Sequence, residues 1–302
     1  MPHHAMLMPT LAHVVGDEPH DGHWWTAWNI DPVIIPVLLL LSTLYTVGLI
    51  NMWRRAGTGH GVSRLQATAF AFAILSLVVA LISPVDVLAI ELSWVHMIQH
   101  MIIMMIAAPL FVIAAPTRVM LFAFTTVGRV RLGAMFRMPG PYLLWQPLLT
   151  WALYAFTLWI WHIPTLYEAA LRNELVHDAQ HLAFFIASCL FWRVLLDPLS
   201  RLRLNLGLGV LYLFTSSLHS SALGVFLALS PRVWYPHYET TTAAWNLTAL
   251  EDQQLAGLVM WMPACTLYAA AAALMFYFWM RQLQHPLPAV APIPNQKLET
   301  GN

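Results

Sequence analysis

The stretch VHMIQHMIIMMIAAPLFVIAA, residues 95–115, decides the fold. It contains no Asp, Glu, Lys or Arg, and about 20 apolar residues of helix are enough to cross the roughly 30 Å hydrocarbon core of a bilayer. Six further apolar runs of comparable length occupy residues 32–52, 65–82, 143–161, 180–196, 206–229 and 256–280. The sequence therefore predicts an all-α integral membrane protein, a bundle of seven transmembrane helices.

Composition supports a lipid environment. Hydrophobic residues make up 59% of the chain and charged residues 9%, whereas about 25% of the residues of a soluble domain are charged. The formal net charge is zero, so nothing indicates a nucleic-acid partner. The two cysteines, Cys189 and Cys265, sit inside apolar runs, and no disulfide framework is expected.

Basic residues set the orientation of the predicted bundle. Twelve of the fourteen fall on one side of the predicted spans: Arg54, Arg55, Arg64, Arg118, Arg129, Arg131, Arg137, Arg193, Arg201, Arg203, Arg281 and Lys297. Only Arg172 and Arg232 fall on the other side. The positive-inside rule makes the basic side cytoplasmic, so the amino terminus is predicted outside and the carboxyl terminus inside.

This orientation divides the chain into three parts. Residues 1–31 form an outer tail rich in Met and His, residues 32–281 the seven-helix membrane domain, and residues 282–302 a cytoplasmic tail that is expected to be disordered. The outer tail lacks the basic and apolar regions of a signal peptide. It is equally compatible with copper capture and with a disordered leader of accidental composition.

Histidines are the most informative polar residues. Of the fourteen in the chain, six sit in or beside the spans: His96, His100, His162, His177, His181 and His219. Counting 1.5 Å per residue from the span ends places all six in one outer layer, with His219 about 20 Å along its helix. Two pairs, His96 with His100 and His177 with His181, have the i,i+4 spacing that puts both rings on one helix face.

Such pairs favour a metal site or a haem site, because i,i+4 imidazoles hold helical metal ions and facing histidines ligate haem iron. The alternative is a polar network that joins the ends of the helices. Four methionines share the third span, Met97, Met101, Met104 and Met105. Thioether and imidazole ligands together suit Cu(I), although methionine also fills apolar cores without any metal.

Amides and carboxylates near these histidines are candidate supporting residues. Gln99 lies on the same span as the first pair, and Asp252, Gln253 and Gln254 lead into the seventh span. Amides at this depth are expected to hydrogen-bond metal-bound histidines, whereas a carboxylate at a helix start also complements the helix dipole.

Several motifs in order carry a family resemblance. They are His96-Met97-Ile98-Gln99-His100 ending in Ala107-Ala108-Pro109, Trp161-His162-Ile163-Pro164 with Tyr167-Glu168-Ala169-Ala170, His177 and His181 before Phe191-Trp192, Leu229-Ser230-Pro231-Arg232 with Tyr235-Pro236, and Glu251-Asp252-Gln253-Gln254-Leu255-Ala256-Gly257 with Met260-Trp261. Together they resemble the polytopic CtaG family of assembly factors for caa-type cytochrome c oxidase, over about residues 33–280.

The resemblance implies a multi-pass protein of the bacterial plasma membrane whose partners are cytochrome c oxidase subunits. It also implies a part in making active haem-copper oxidase, and copper handling is the usual inference for the family. The Met/His tail and His219 are not covered by the matched motifs.

Three functions follow as hypotheses. The leading one is an assembly factor that binds or delivers copper at the outer face through the histidines. The second is a haem-binding membrane electron-transfer subunit that uses the same histidines, and the third is a ligand-free structural chaperone of the oxidase. An enzyme is not indicated, because the chain has no nucleotide-binding glycine loop, nucleophile elbow or paired catalytic carboxylates in the membrane.

Overall fold

A computed structural model describes residues 24–135, 146–197 and 202–284, and within these ranges the chain is helical with no strand. The expectations for most of the outer tail and most of the cytoplasmic tail fall on residues 1–23 and 285–302, outside the described ranges.

Twelve α-helices and one π-helical segment make up the described architecture. Their bounds are α1 Ile34–Ala56, α2 Arg64–Leu81, α3 Pro84–Glu91, α4 Ser93–Met101, the π-helical segment Ile102–Ala107, α5 Ala108–Ile113, α6 Pro116–Met120, α7 Thr126–Met135, α8 Pro147–Trp161, α9 Pro164–Arg172, α10 Glu174–Leu196, α11 Leu206–Leu229 and α12 Ala249–Gln284. The π-helical segment joins α4 and α5 into one continuous helix.

Six helices are long and apolar enough to cross a membrane, which confirms six of the seven predicted spans. They are α1, α2, the continuous helix Ser93–Ile113, α10, α11 and α12. The remaining predicted span, 143–161, contains α8, an apolar helix of 15 residues in the described part of the chain. The seven-span count and the orientation therefore stay predictions from hydropathy and charge.

Short helices and turns close one end of the bundle, which we call the histidine end. Helix α3 joins α2 to α4, α9 joins α8 to α10, and residues 233–246 between α11 and α12 form two short 3₁₀ turns. Asn173 caps the start of α10, because its side chain accepts the N–H of Val176 at 3.2 Å. This cap fixes where α10 begins.

Helices α11 and α12 pack in close contact through two glycines. A Cβ atom on Gly257 would lie 2.4 Å from the backbone nitrogen of Ala228 and 2.6 Å from the carbonyl oxygen of Gly224. A Cβ on Gly224 would lie 2.9 Å from the carbonyl oxygen of Gly257. Small residues let membrane helices approach to backbone distance, and here they bring α12 against α11 at the histidine end.

The π-helical segment follows directly after the first histidine pair. The N–H of Ala108 donates to the carbonyl of Ile103, five residues back. The next donor in this register would be residue 109, but Pro109 has no N–H, so the carbonyl of Met104 loses its partner. The indole Nε1–H of Trp192 on α10 donates to that carbonyl at 3.0 Å. Trp192 therefore satisfies a backbone group that the proline leaves open.

Replacing Trp192 by phenylalanine is expected to destabilise the bundle by about 2 kcal/mol, because a buried carbonyl loses its donor. The thermal unfolding midpoint of detergent-purified protein measures this. Trp159→Phe is the matched control, because Trp159 is 37% exposed and packs beside Phe226. Equal midpoints for the two variants would contradict the role given to Trp192.

Candidate metal centre

Five of the six predicted histidines meet at the histidine end. Their ring centroids are separated by 4.4 Å between His96 and His100, 4.2 Å between His177 and His181, and 5.5 Å between His100 and His181. His96 lies 5.2 Å from His177, and His162 lies 5.9 Å from His100. The two i,i+4 pairs on α4 and α10 therefore face each other, with the end of α8 closing the third side.

Three of these rings form a compact ligand set. One nitrogen each of His96, His177 and His181 lie within 4.8 Å of one another. An ion bound about 2.0 Å from each nitrogen would hold any two of them within about 4 Å, so small ring rotations are sufficient to close the site. His100 and His162 lie beside this set as further imidazoles.

The contacts of His96 define which of its nitrogens faces the cluster. The hydroxyl of Tyr238 donates to the carbonyl oxygen of Ala89 at 3.0 Å, so its oxygen accepts from the ring. His96 Nδ1 lies 3.2 Å from that oxygen and is therefore the protonated nitrogen. His96 Nε2 is left with a lone pair, buried and without a hydrogen-bond partner.

The same argument identifies the protonated nitrogen of His162. Its Nδ1 lies 2.6 Å from the carbonyl oxygen of Leu158, which only accepts, so Nδ1 carries the proton. Its Nε2 is buried without a partner. Metal-binding histidines usually donate a hydrogen bond from one ring nitrogen to a neighbouring acceptor and keep the other nitrogen free for the metal.

The interior of the cluster is short of hydrogen-bond partners. Both ring nitrogens of His100 and of His181 are buried without one, and the two side chains are 2% and 3% exposed. Unpaired polar atoms in an apolar interior are costly. Gln180, which is fully buried, adds an amide whose nitrogen and oxygen also lack hydrogen-bond partners. The rings of His96, His100, His162 and His181 thus offer four nitrogen lone pairs to a ligand that prefers imidazole.

Three buried tyrosines cover the cluster from the histidine end. Tyr167 lies 5.0 Å from His96 and stacks on Tyr235 at 3.8 Å between ring centroids. The hydroxyl of Tyr167 lies 3.3 Å from that of Tyr238, and Tyr235 donates to the carbonyl of His162 at 3.0 Å. Burial raises the pKa of Tyr238 well above its ordinary value, so the phenol stays protonated and keeps donating.

Sequence reasoning did not select these tyrosines, although Tyr167 and Tyr235 belong to stretches that it quoted. The available signal was the position of Tyr167 five residues after His162, and of Tyr235 and Tyr238 in the last loop on the histidine side. Only the folded chain shows that all three reach the same cluster.

His219 does not join the other histidines, which corrects the expectation of six rings in one layer. Its ring lies 5.5 Å from Trp151 and 6.1 Å from Tyr154 on α8. Tyr154 precedes His162 by eight residues, roughly 12 Å along the helix. Helix α11 continues ten residues past His219 to Leu229, so the residue sits near the middle of its helix.

Gln99 points away from the histidines. Its side-chain nitrogen donates to the carbonyl of Ala80 at 2.8 Å and to Oδ1 of Asp86 at 2.6 Å. The second carboxylate oxygen of Asp86 accepts from Asn29 at 2.7 Å. Gln99 therefore ties α4 to α2 and α3, and its distances give it no hydrogen bond to a ligand ring.

Asp252 and Gln253 hold the backbone around the site. Asp252 is fully buried and accepts the backbone N–H groups of Ser93 at 2.8 Å and Trp94 at 3.2 Å, so it caps the start of α4 from another helix. The oxygen of Gln253 accepts the N–H of Trp234 at 2.6 Å, and its nitrogen donates to Arg232 at 3.1 Å.

Gln254, the last of these candidates, is partly exposed on α12. The four predicted methionines, Met97, Met101, Met104 and Met105, are buried in the apolar core. Their packing is that of ordinary core residues, and ligation by any of them stays a prediction.

Replacing Asp252 by alanine is expected to destabilise the protein by about 2 kcal/mol, because two buried N–H groups at the start of α4 lose their acceptor. The same change should weaken any ligand bound by His96, which lies in the first turn of α4. Thermal unfolding and ligand affinity measure the two effects. Gln254→Ala is the control, and a Gln254→Ala protein as unstable as Asp252→Ala would contradict the assignment.

Comparison with known proteins agrees with the resemblance in the sequence. The family model described as cytochrome c oxidase caa3 assembly factor (Caa3_CtaG) matches residues 43–282. No curated protein and no solved structure matches the chain. The matched range includes all five clustered histidines and the three tyrosines that cover them.

Proposed function

Because the chain belongs to the Caa3_CtaG family of cytochrome c oxidase caa3 assembly factors, we propose that it serves oxidase assembly by holding one copper ion in the histidine cluster. The ion is bound as Cu(I) and passed to an oxidase subunit. The observation that carries the proposal is the convergence of five imidazoles from α4, α8 and α10, with the Nε2 atoms of His96 and His162 left free.

Chemistry of the donor set favours a soft or borderline metal. Neutral imidazole suits copper and zinc, whereas magnesium and calcium prefer oxygen ligands. The cluster offers ring nitrogens, and the nearby carboxylates of Asp86 and Asp252 are engaged by other parts of the fold. With the assembly of a copper-containing oxidase as the family role, Cu(I) is the most direct choice.

A haem group is the less favoured ligand. A macrocycle needs a flat slot between two histidines that approach it from opposite faces. Here ring packs directly against ring, with Phe184 4.6 Å from His100 and Tyr167 5.0 Å from His96. This density supports a single ion better than a porphyrin.

Metal analysis and a visible spectrum of the detergent-purified protein test the proposal. We expect about one Cu(I) per chain after loading and no Soret band. A Soret band would move the function to electron transfer through haem. Protein that takes up neither ligand would leave a ligand-free chaperone of the oxidase and would reject the copper proposal.

A further inference from the structure

One segment of the chain covers the histidine cluster together with Tyr167 of α9. Residues 233–246, which we call the covering segment, run between α11 and α12; Tyr238 contacts the ring of His96, and Tyr235 contacts the backbone of His162. Both tyrosines are 1% exposed, and the free nitrogens of His96, His100 and His181 are buried beneath. These buried nitrogens meet water or another protein only after something moves.

Three side chains of the covering segment fasten it to the end of α3. Tyr238 donates to the carbonyl of Ala89 at 3.0 Å, His237 Nε2 to Ile90 at 3.1 Å, and Thr241 to Glu91 at 2.7 Å. The last carbonyls of a helix have no partner within it, so three side chains in turn satisfy consecutive orphan acceptors. The covering segment is thus held by side-chain bonds at a helix end.

Of the three side chains that fasten the covering segment to α3, Tyr238 also contacts a ring of the histidine cluster. Its hydroxyl donates to Ala89 and accepts the Nδ1–H of His96, which leaves Nε2 as the ligand nitrogen. We propose that Tyr238 is a positioning residue that couples the covering segment to the metal site. While the segment is down, His96 presents Nε2 to the ion; when the segment lifts, the site opens and His96 loses its orientation at the same time.

This inference rests on the proposed function, because it concerns the release of the same ion. An acceptor that displaces the covering segment would expose the copper and weaken one of its ligands in a single movement. Outer-shell partners of metal-bound histidines typically contribute 10–100-fold in affinity, so the loss of this one contact is large enough to favour transfer.

Three variants of the full-length protein separate the roles. Tyr238→Phe removes the bonds to His96 and Ala89 and the 3.3 Å contact with the hydroxyl of Tyr167. Tyr268→Phe on α12 is the matched control, because it removes an equally buried phenol whose bond goes to Tyr154, outside the covering segment and the cluster. Thr241→Val removes only the bond to Glu91 and loosens the segment without touching a histidine.

Copper dissociation rate and affinity, measured by competition with a Cu(I) chelator, give the first readout. We expect Tyr238→Phe to raise the dissociation constant by ~10-fold or more, and Tyr268→Phe to change it less than about 3-fold. Thr241→Val should speed both binding and release and leave the dissociation constant near that of the wild type. Equal affinities in Tyr238→Phe and Tyr268→Phe would overturn the coupling.

A second readout needs no metal, so it separates failure of the coupling from failure of the copper proposal. Diethyl pyrocarbonate modifies accessible imidazole nitrogens, and mass spectrometry follows the rate at His96 in metal-free protein. Faster labelling in Thr241→Val and Tyr238→Phe than in Tyr268→Phe supports the opening of the covering segment, even where wild-type protein binds no copper. Equal labelling in all four proteins would reject it.

Discussion

Replacing His96 and His100 together by alanine is expected to abolish Cu(I) binding by the purified protein and the activity of the dependent oxidase. His96 belongs to the compact set with His177 and His181, and His100 is the ring that links this set to His162. Removing both leaves His177 and His181 as one convergent pair on α10, because the ring contact of His162 with another histidine is to His100. Two convergent nitrogens are too few for a tight site. Copper per chain and oxidase copper content measure the loss.

The control is His219→Ala, which removes a histidine next to Trp151, away from the cluster. Its copper content should equal that of the wild type, and the level of both variants in the membrane must be compared with that of the wild type. An oxidase with normal copper content beside well-accumulated His96→Ala/His100→Ala protein would contradict the proposed function.

Replacing Gly257 by alanine is expected to cost about 3 kcal/mol and to lower the thermal unfolding midpoint by roughly 10 °C, or to prevent accumulation in the membrane. The new methyl group would lie 2.4 Å from the nitrogen of Ala228 and 2.6 Å from the carbonyl oxygen of Gly224. Backbone atoms cannot rotate out of the way as a side chain does, so α11 and α12 must separate.

Gly128→Ala is the matched change on α7. There the nearest atom to the added methyl group is the Cβ of Phe124 at 3.4 Å, an ordinary contact. The thermal unfolding midpoints of the two variants, measured in the same detergent, test this prediction. A Gly257→Ala protein as stable as Gly128→Ala would show that the two helices are not packed at backbone distance.

Much of the architecture could be predicted because each span carries its own signal. Apolar runs of about 20 residues located six helices, and the i,i+4 spacing correctly placed each histidine pair on one helix face. The position of His219 was wrong because its depth was counted from the start of α11 alone. Ten residues follow His219 in α11, so it lies about 15 Å from the end of that helix at the histidine end, too deep to reach the other rings.

Contacts between distant segments were beyond the reach of the sequence. Asp252 was interpreted through its own helix, whereas it caps α4, a segment 159 residues away. Tyr238 carries no local pattern that would predict a bond to His96 across 142 residues. Both roles depend on which distant segments of the chain come into contact after folding, and neither hydropathy nor spacing encodes those contacts.

The five-residue hydrogen-bond register in Ile102–Ala107 has a consequence for the helix that carries the first histidine pair. A π turn accommodates one residue more than an α turn, so it acts as a single inserted position between the two halves of the continuous helix. If the same residues were wound as a regular α-helix, the histidine-bearing half would be turned by roughly 100° relative to α5. Both imidazoles would then face the wrong neighbours, even though every ligand was still present in the chain.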